Sequence, residues 1–540
     1  MGGIQMKTKN TVINLLLVVI LILPLAACGR KSSSKDKAPT ASPTPLTMDL
    51  EPRITHVPIT PMPGFSAPDP GCEIAFPTEE RYHYDMDLTL DSVHRTVNGH
   101  VVLDFFNDSE DAWDKLCLRD YSSQFKDAVT AGYSVFRFTT NGALTEITGV
   151  TDGRDNTALT ITRDEDVSVV WVPLAKPLAP GENMRLTYDF TATIPTVKDR
   201  YGAQTGIFNV TNFYPILAEY ADGEWSRYPY FQTGECFYSE IADYHVKLTV
   251  PSKYTVVSTG TETEKKTAGD TTVYTLDAPC VRDFVFCAGD TFGLATKEVE
   301  GVRVNVFYNK LLHTEAQTEN ACEKCFEAAE ESFAAFGEAF GRYPYEELDI
   351  VLAEIEAGGM EYPNLVIITD WMFFTENPDE RLFYSYEAQI IIAHEIGHQW
   401  FMGIVGSNSG EEPWLDESFA SYTESVYNAY RMRLDHTPYY RSLTPHELTP
   451  GKDFPLNRGY FDFGNDETYV HAIYALGAEV LNELEDILGE ENFHAVIREY
   501  VRRNAFKNAE TADFFEVLFS CCGTENAEIN ELLEIAFDLP

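Results

Sequence analysis

The hydrophobic pattern of this 540-residue chain changes period once, near residue 292. From about Cys72 onward, short runs alternate apolar and polar residues. Examples are HYDMDLTLDSV (83–93), GHVVLDFFN (99–107), MRLTYDFTATI (184–194) and YHVKLTVP (244–251). Period-two alternation broken by turn residues predicts antiparallel sheets packed as a sandwich or saddle. Beyond Leu294 the pattern becomes mixed. Residues 314–340 read as one long helix, and 348–355 and 364–369 as strands. Between those strands, 357–363 holds two glycines and a proline and reads as a loop or edge strand. Helices follow over about 379–403, 416–431, 467–488, 491–504 and 510–521. The expected fold is a multidomain α+β chain. An N-terminal β domain spans 72–292 and a mixed α/β domain spans 293–540, and the length suffices for two cores.

The first 71 residues carry a different signal. Lys7 and Lys9 precede an apolar run from Leu15 to Leu23, too short for a comfortable membrane span, and then Leu25-Ala26-Ala27-Cys28. A basic start, a short apolar core and small residues before a cut site make a secretory signal over 1–27. Its ending resembles a bacterial lipobox, which implies a lipid on the Cys28 thiol and an extracytoplasmic, membrane-anchored protein. Residues 28–71 are rich in Ser, Thr, Pro and Lys and read as a disordered tether. The formal net charge of -45 excludes nucleic acid and anionic lipid as electrostatic partners. Of the ten cysteines, Cys322 and Cys325 make one CxxC, without the second pair a zinc ribbon needs.

The chemistry concentrates in IIIAHEIGHQW (390–400). His394 and His398 lie four apart, on one face of a helix about one turn apart, so two imidazoles can grip one metal ion. Glu395 sits beside them to handle a proton. This H-E-x-x-H order is a zinc-peptidase signature. A catalytic zinc takes three protein ligands and leaves one position open. With eighteen residues between, His398 is followed by Glu417, within Trp414-Leu415-Asp416-Glu417-Ser418-Phe419-Ala420.

At this point the sequence resembles the zinc aminopeptidases of the aminopeptidase N type, within the gluzincins. Their pattern is H-E-x-x-H, eighteen residues, then Glu inside W-L-x-E-G-F-A; here Ser418 stands for the usual Gly. The resemblance implies a thermolysin-like catalytic domain with one zinc ion on His394, His398 and Glu417. Upstream, Gly358-Gly359-Met360-Glu361-Tyr362 occupies the place of the family's G-x-M-E-N. There the family has an edge strand that pairs with substrate backbone and a Glu that binds the free α-amine, here Glu361, with Tyr362 in place of Asn. Downstream, Tyr474-Ala475-Leu476-Gly477 matches the Tyr and Gly of Y-x-K-G, 57 residues after Glu417. The resemblance makes Tyr474 the donor to the oxyanion, with Tyr469 as its rival. The family's second amine-binding residue, from its β domain, has its best local match at 211–215, which has no acid. Glu219 and Glu235 are substitutes and neither is assigned. Glu424, two helical turns after Glu417, is a candidate to orient a ligand histidine.

The expected function is removal of N-terminal residues from peptides by zinc-activated water, with Glu395 as proton carrier. Two alternatives stand beside it: a gluzincin endopeptidase acting without a free amino terminus, and a non-catalytic peptide-binding lipoprotein. Many members of the family continue into a helical domain that roofs the cavity. This sequence ends at Pro540, so a more open cleft is expected.

Overall fold

The computed structural model describes residues 59–127, 144–204, 206–374, 378–435 and 455–539. The signal segment, Cys28 and most of the expected tether lie outside them.

The β domain is built on an eight-stranded sheet. Its central strands are Tyr82–Asp91, Thr96–Phe106, Asn183–Thr193 and Ala242–Pro251, and their burial alternates residue by residue. The alternation read from the sequence is therefore a real inside–outside pattern. Two four-stranded sheets cover it. Pairing is antiparallel throughout this domain with one difference from expectation: Tyr82–Asp91 and Ala242–Pro251 run parallel. A long chain excursion separates them, and parallel neighbours require such a crossover.

The expected boundary near 292 falls at the start of a strand, not in a linker. Phe292–Val299 is the outer strand of the second domain's five-stranded sheet. The sheet continues through Val302–Asn309, Glu347–Ala353, Leu365–Thr369 and the edge strand Gly359–Tyr362. The edge strand is antiparallel to its neighbour, while Glu347–Ala353 and Leu365–Thr369 are parallel. Helix Glu315–Phe340 opens with a capping box between Thr314 and Gln317. It packs on helix Pro378–Gly397, which packs in turn on helix Phe419–Asp435. Three further helices, Gly477–Leu488, Glu490–Asn504 and Thr511–Cys522, close this core.

The end of the expected tether is folded. Ile59 and Phe65 pack on the catalytic core. The Met62 amide donates to Cys521 O at 2.7 Å, and Arg498 Nε donates to Pro68 O at 2.9 Å. Few large apolar residues occur in 59–71, so composition hides this strap. Hydrogen bonds from its backbone to residues far along the chain hold it.

The two domains share a buried pin. Arg282 of the β domain donates to Met402 O and Lys507 O, both at 2.6 Å, and also reaches Asn508. All nine described cysteines are free thiols. Cys322 and Cys325 point into the helical core, and burial pushes the Cys322 thiol up to about 11. That is the opposite of the low-pKa thiolate a redox CxxC uses.

Candidate metal centre and peptide cleft

Helix Pro378–Gly397 is almost wholly buried near its end. Ile390, Ile392, Ala393 and Ile396 sit in the core, and this fixes which face His394 and Glu395 present to the cavity. The helix stops at Gly397, short of the expected 403. His398 follows in a turn whose amide still donates to His394 O at 3.1 Å. That bond preserves the helical spacing of the two rings, whose centroids are 4.8 Å apart.

Glu417 arrives on a second element. Trp414–Ser418 forms a π-helical turn before helix Phe419–Asp435 begins. Such turns are rare and recur at functional sites. Three atoms converge here. His394 Nε2 and His398 Nε2 are 3.1 Å apart, and each lies 3.3 Å from Glu417 Oε2. The outward nitrogens have their own acceptors. His394 Nδ1 lies 3.0 Å from Glu424 Oε1, and His398 Nδ1 lies 2.7 Å from Asp416 Oδ1. Ser409 Oγ donates to Asp416 Oδ2 at 2.7 Å. Protons assigned to both Nδ1 atoms leave both Nε2 lone pairs facing inward. Two imidazole lone pairs and a carboxylate oxygen at this separation repel one another unless a cation sits among them. This donor set fits zinc, with three protein ligands and a free side towards the cavity.

The electrostatics agree. Burial disfavours the Glu417 carboxylate, yet the two imidazoles outweigh burial and hold its carboxyl well below the usual range. Burial likewise opposes charge on His394, but Glu417 and Glu424 push it up to about 9. The field at this point favours positive charge.

Glu395 points into the same cavity. Its Oε2 has no hydrogen-bond partner among the described residues, and burial pushes its carboxyl up to about 7. Gly359 faces it closely, since a Cβ there would lie 2.2 Å from Glu395 Oε1. The structure shows that Gly359 makes room for the Glu395 side chain. Its neighbour Gly358 abuts Ile391, where a Cβ would lie 3.2 Å from Cδ1. Met360 is buried in a small core cluster behind the edge strand. Glu361 lines the cavity. Burial raises its carboxyl well above the ordinary range, with Glu235 adding to the shift.

Tyr474 and its rival separate clearly. Tyr474 lies in a second π-helical turn, His471–Leu476, packed against the first. Its ring stacks on His394 with centroids 6.1 Å apart and planes 12° apart, and its hydroxyl bonds Glu417. Tyr469 is fully buried against Gly234, and its hydroxyl has no partner among the described residues. Ser418 also has its explanation here. Its Oγ donates to Ile473 O at 2.6 Å and sits where a Cβ on Gly477 would clash at 1.9 Å. Ser418 and Gly477 therefore form one close contact between the two π turns.

The far end of the cleft, about 1580 Å³ in all, belongs partly to the β domain. Of the two acids left open by the sequence, Glu235 lines this cavity and Glu219 does not. Glu219 instead accepts from Asn508 Nδ2 at 2.8 Å near the interdomain pin. Glu235 is paired, because Arg200 Nη1 donates to its Oε1 at 2.6 Å. Burial still raises Glu235 to about 7 against the pull of Arg200. Tyr362, standing where the family has Asn, turns away from the cleft and donates to Asn212 Oδ1 at 3.2 Å. Asn212 lies in the 211–215 stretch, so that stretch reaches the site through the edge strand. Sequence reasoning missed Asp416, Ser409 and Arg200. Asp416 carried a signal, as an acid next to a ligand Glu in a helical turn; Arg200 carried none.

The fold is a β domain followed by a mixed α/β domain that carries the candidate metal centre. Residues 320–535 match the family model described as the peptidase family M1 domain. Aminopeptidase M1-B of Oryza sativa subsp. japonica is 24% identical over 374 residues, which covers 66% of this chain and 40% of that protein. Aminopeptidase N of Streptomyces lividans is 28% identical over 218 residues, covering 37% of this chain and 24% of that one. The chain thus spans two fifths or less of the length of these two relatives. The M1 zinc metallopeptidase of Deinococcus radiodurans has the same fold, with a TM-score of 0.57 and 17% identity. That match covers 85% of this chain and 94% of the other.

Proposed function

We propose that this protein is a zinc-dependent aminopeptidase that removes N-terminal residues from peptides outside the cytoplasm. The observation that carries the reading is the convergence of His394 Nε2, His398 Nε2 and Glu417 Oε2 in a cleft that also holds Glu395, Tyr474 and Glu361. Zinc bound there supplies the Lewis acidity that makes water nucleophilic near neutral pH and polarises a carbonyl. Glu395 takes the proton of the attacking water and hands it to the leaving amine. The Tyr474 hydroxyl donates to the oxygen that gains charge. Glu361, at the β-domain end of the cleft, receives the substrate ammonium; a desolvated carboxylate pairs strongly with such a group. Asp416, Ser409 and Glu424 hold the imidazoles in their ligand tautomer. A protein of this fold has been solved with a Tyr-Ser-Ala substrate, which supports a peptide as the ligand class.

The test is a panel of aminoacyl and N-acetylated fluorogenic peptides, run with and without chelator. Free-amine substrates should be cleaved, chelator should abolish cleavage, and zinc should restore it. Equal cleavage of acetylated peptides makes the protein an endopeptidase. No turnover by zinc-loaded protein leaves the non-catalytic reading.

The membrane attachment is part of the same proposal. Lys7, Lys9, the apolar run 15–23 and Leu25-Ala26-Ala27-Cys28 support lipidation of Cys28. Among the described residues no helix is long and apolar enough to cross a membrane. Cys28→Ala should move the protein from the membrane fraction to the soluble fraction and abolish labelling by a fatty-acid probe.

A further inference from the structure

Several carboxylates line the cleft that the proposed chemistry does not use, and among them Glu387 is set apart by two buried, unpartnered oxygens among the described residues. Glu387 stands on the same helix as His394, seven residues earlier, and lines the same cavity. It is 3% exposed, and neither Oε1 nor Oε2 has a hydrogen-bond partner among the described residues. A buried carboxylate without donors is costly, and native structures seldom keep one. Thr369 Oγ1, also in the cavity wall, is likewise unpartnered among the described residues. Burial pushes the Glu387 carboxyl up to about 7, and among the described residues no cation offsets it.

The direction of the cleft says what meets this group. Along the edge strand, Glu361 marks the amine end, Gly359 abuts Glu395, and Gly358 abuts Ile391. Travelling from the substrate amine across the scissile bond therefore means travelling back along the helix, from Glu395 to Ile391. Glu387 is one further turn in that direction, about 5–6 Å on. It faces the residue that leaves, not the residue that is removed. Trp371 lines the same region, 45% exposed, with its ring 5.1 Å from that of Tyr384, one turn before Glu387. An exposed indole and a recessed carboxylate in the wall of one cavity suit a long apolar stem that ends in a cation.

We infer that Glu387 is a specificity residue that selects a Lys or Arg side chain on the first residue of the leaving peptide. This rests on the peptidase reading and adds a substrate class to it. Lysine or arginine would supply the donors that Glu387 lacks, with Thr369 Oγ1 accepting beside it. A neutral side chain would leave the carboxylate unpaired, and polar sites discriminate most strongly when a partner is missing.

The test compares Ala-Lys-Ala with Ala-norleucine-Ala, which has a stem of similar length and no charge. Zinc-loaded wild type and Glu387→Gln are assayed, with alanyl-aminocoumarin as a substrate that has no leaving residue. Wild type should prefer lysine by about tenfold or more in kcat/KM. In Glu387→Gln that ratio should fall to near one, while alanyl-aminocoumarin turnover stays within about twofold. A wild type without preference, or a preference that survives Glu387→Gln, overturns the inference. So does a preference that appears only when lysine is the second leaving residue. Turnover of alanyl-aminocoumarin separates these failures from failure of the peptidase reading; if no substrate is cleaved, both fall.

Discussion

The two ends of the cleft manage charge in opposite ways. At the metal end the two imidazoles and Glu417 have close, mutually consistent partners. His394 lies beside Glu424, His398 beside Asp416, and Ser409 fixes Asp416 in turn. These groups come from two neighbouring helices and the turns that join them. At the other end, Glu361 of the α/β domain meets Glu235 of the β domain, and burial raises both carboxyls. Arg200 pairs Glu235, and Asn212 takes the hydroxyl of Tyr362 behind the edge strand. A metal centre is fixed by local geometry within one domain. In the proposed reading, selectivity for a substrate amine depends on how two domains meet.

The sharpest way to break this comparison is Glu395→Gln. Zinc content should stay at one per chain while turnover falls by at least about 10³-fold, since the proton carrier is lost and the ligands are not. Retained activity in a metal-verified sample would remove Glu395 from its role. Next comes Tyr474→Phe, expected to lower kcat by about 10²-fold through loss of one donor to the oxyanion. Tyr469→Phe is the internal control. Its hydroxyl has no partner among the described residues, so activity should hold and the melting temperature should not drop.

The amine end is sharpened by Glu361→Ala. kcat/KM for free-amine peptides should fall about 10²-fold, with a much smaller effect on acetylated peptides. Equal losses on both would show that Glu361 shapes the cleft and does not hold the ammonium. At the metal end, Asp416→Asn should weaken zinc binding by about 10–100-fold, read by competition with a chelating dye. Smallest of all, Tyr362→Phe removes one hydrogen bond to Asn212. It should cost about 1 kcal/mol of stability or a few-fold in KM, with zinc affinity unchanged. A change in zinc affinity there would mean that the two ends are coupled.

The metal end is legible in the sequence because its parts are periodic. His394 and His398 are one helical turn apart, and Glu417 comes from the next helix after a short connection. Glu424 follows Glu417 at two turns. Alternation also shows the β domain, since half-buried strands must alternate. Other features have no local signature. The parallel pairing of Tyr82–Asp91 with Ala242–Pro251 depends on a long crossover. The folded strap at 59–71 is held by contacts with residues more than 400 positions away. The helix carrying His394 stops at Gly397, several residues before its apolar pattern does.

By itself the sequence determined which residue types could grip a metal, move a proton and meet an amine, because spacing along a helix translates directly into a shared face. Only the tertiary structure separates Tyr474 from Tyr469 and Glu235 from Glu219, by placing the first of each pair in the cavity wall. The members of each pair are alike in sequence and differ in what surrounds them. The tertiary structure also shows Glu387 as a buried carboxylate without a hydrogen-bond partner among the described residues. Whether a polar group is satisfied depends on every chain segment that passes within about 3 Å of it, and no local pattern records that.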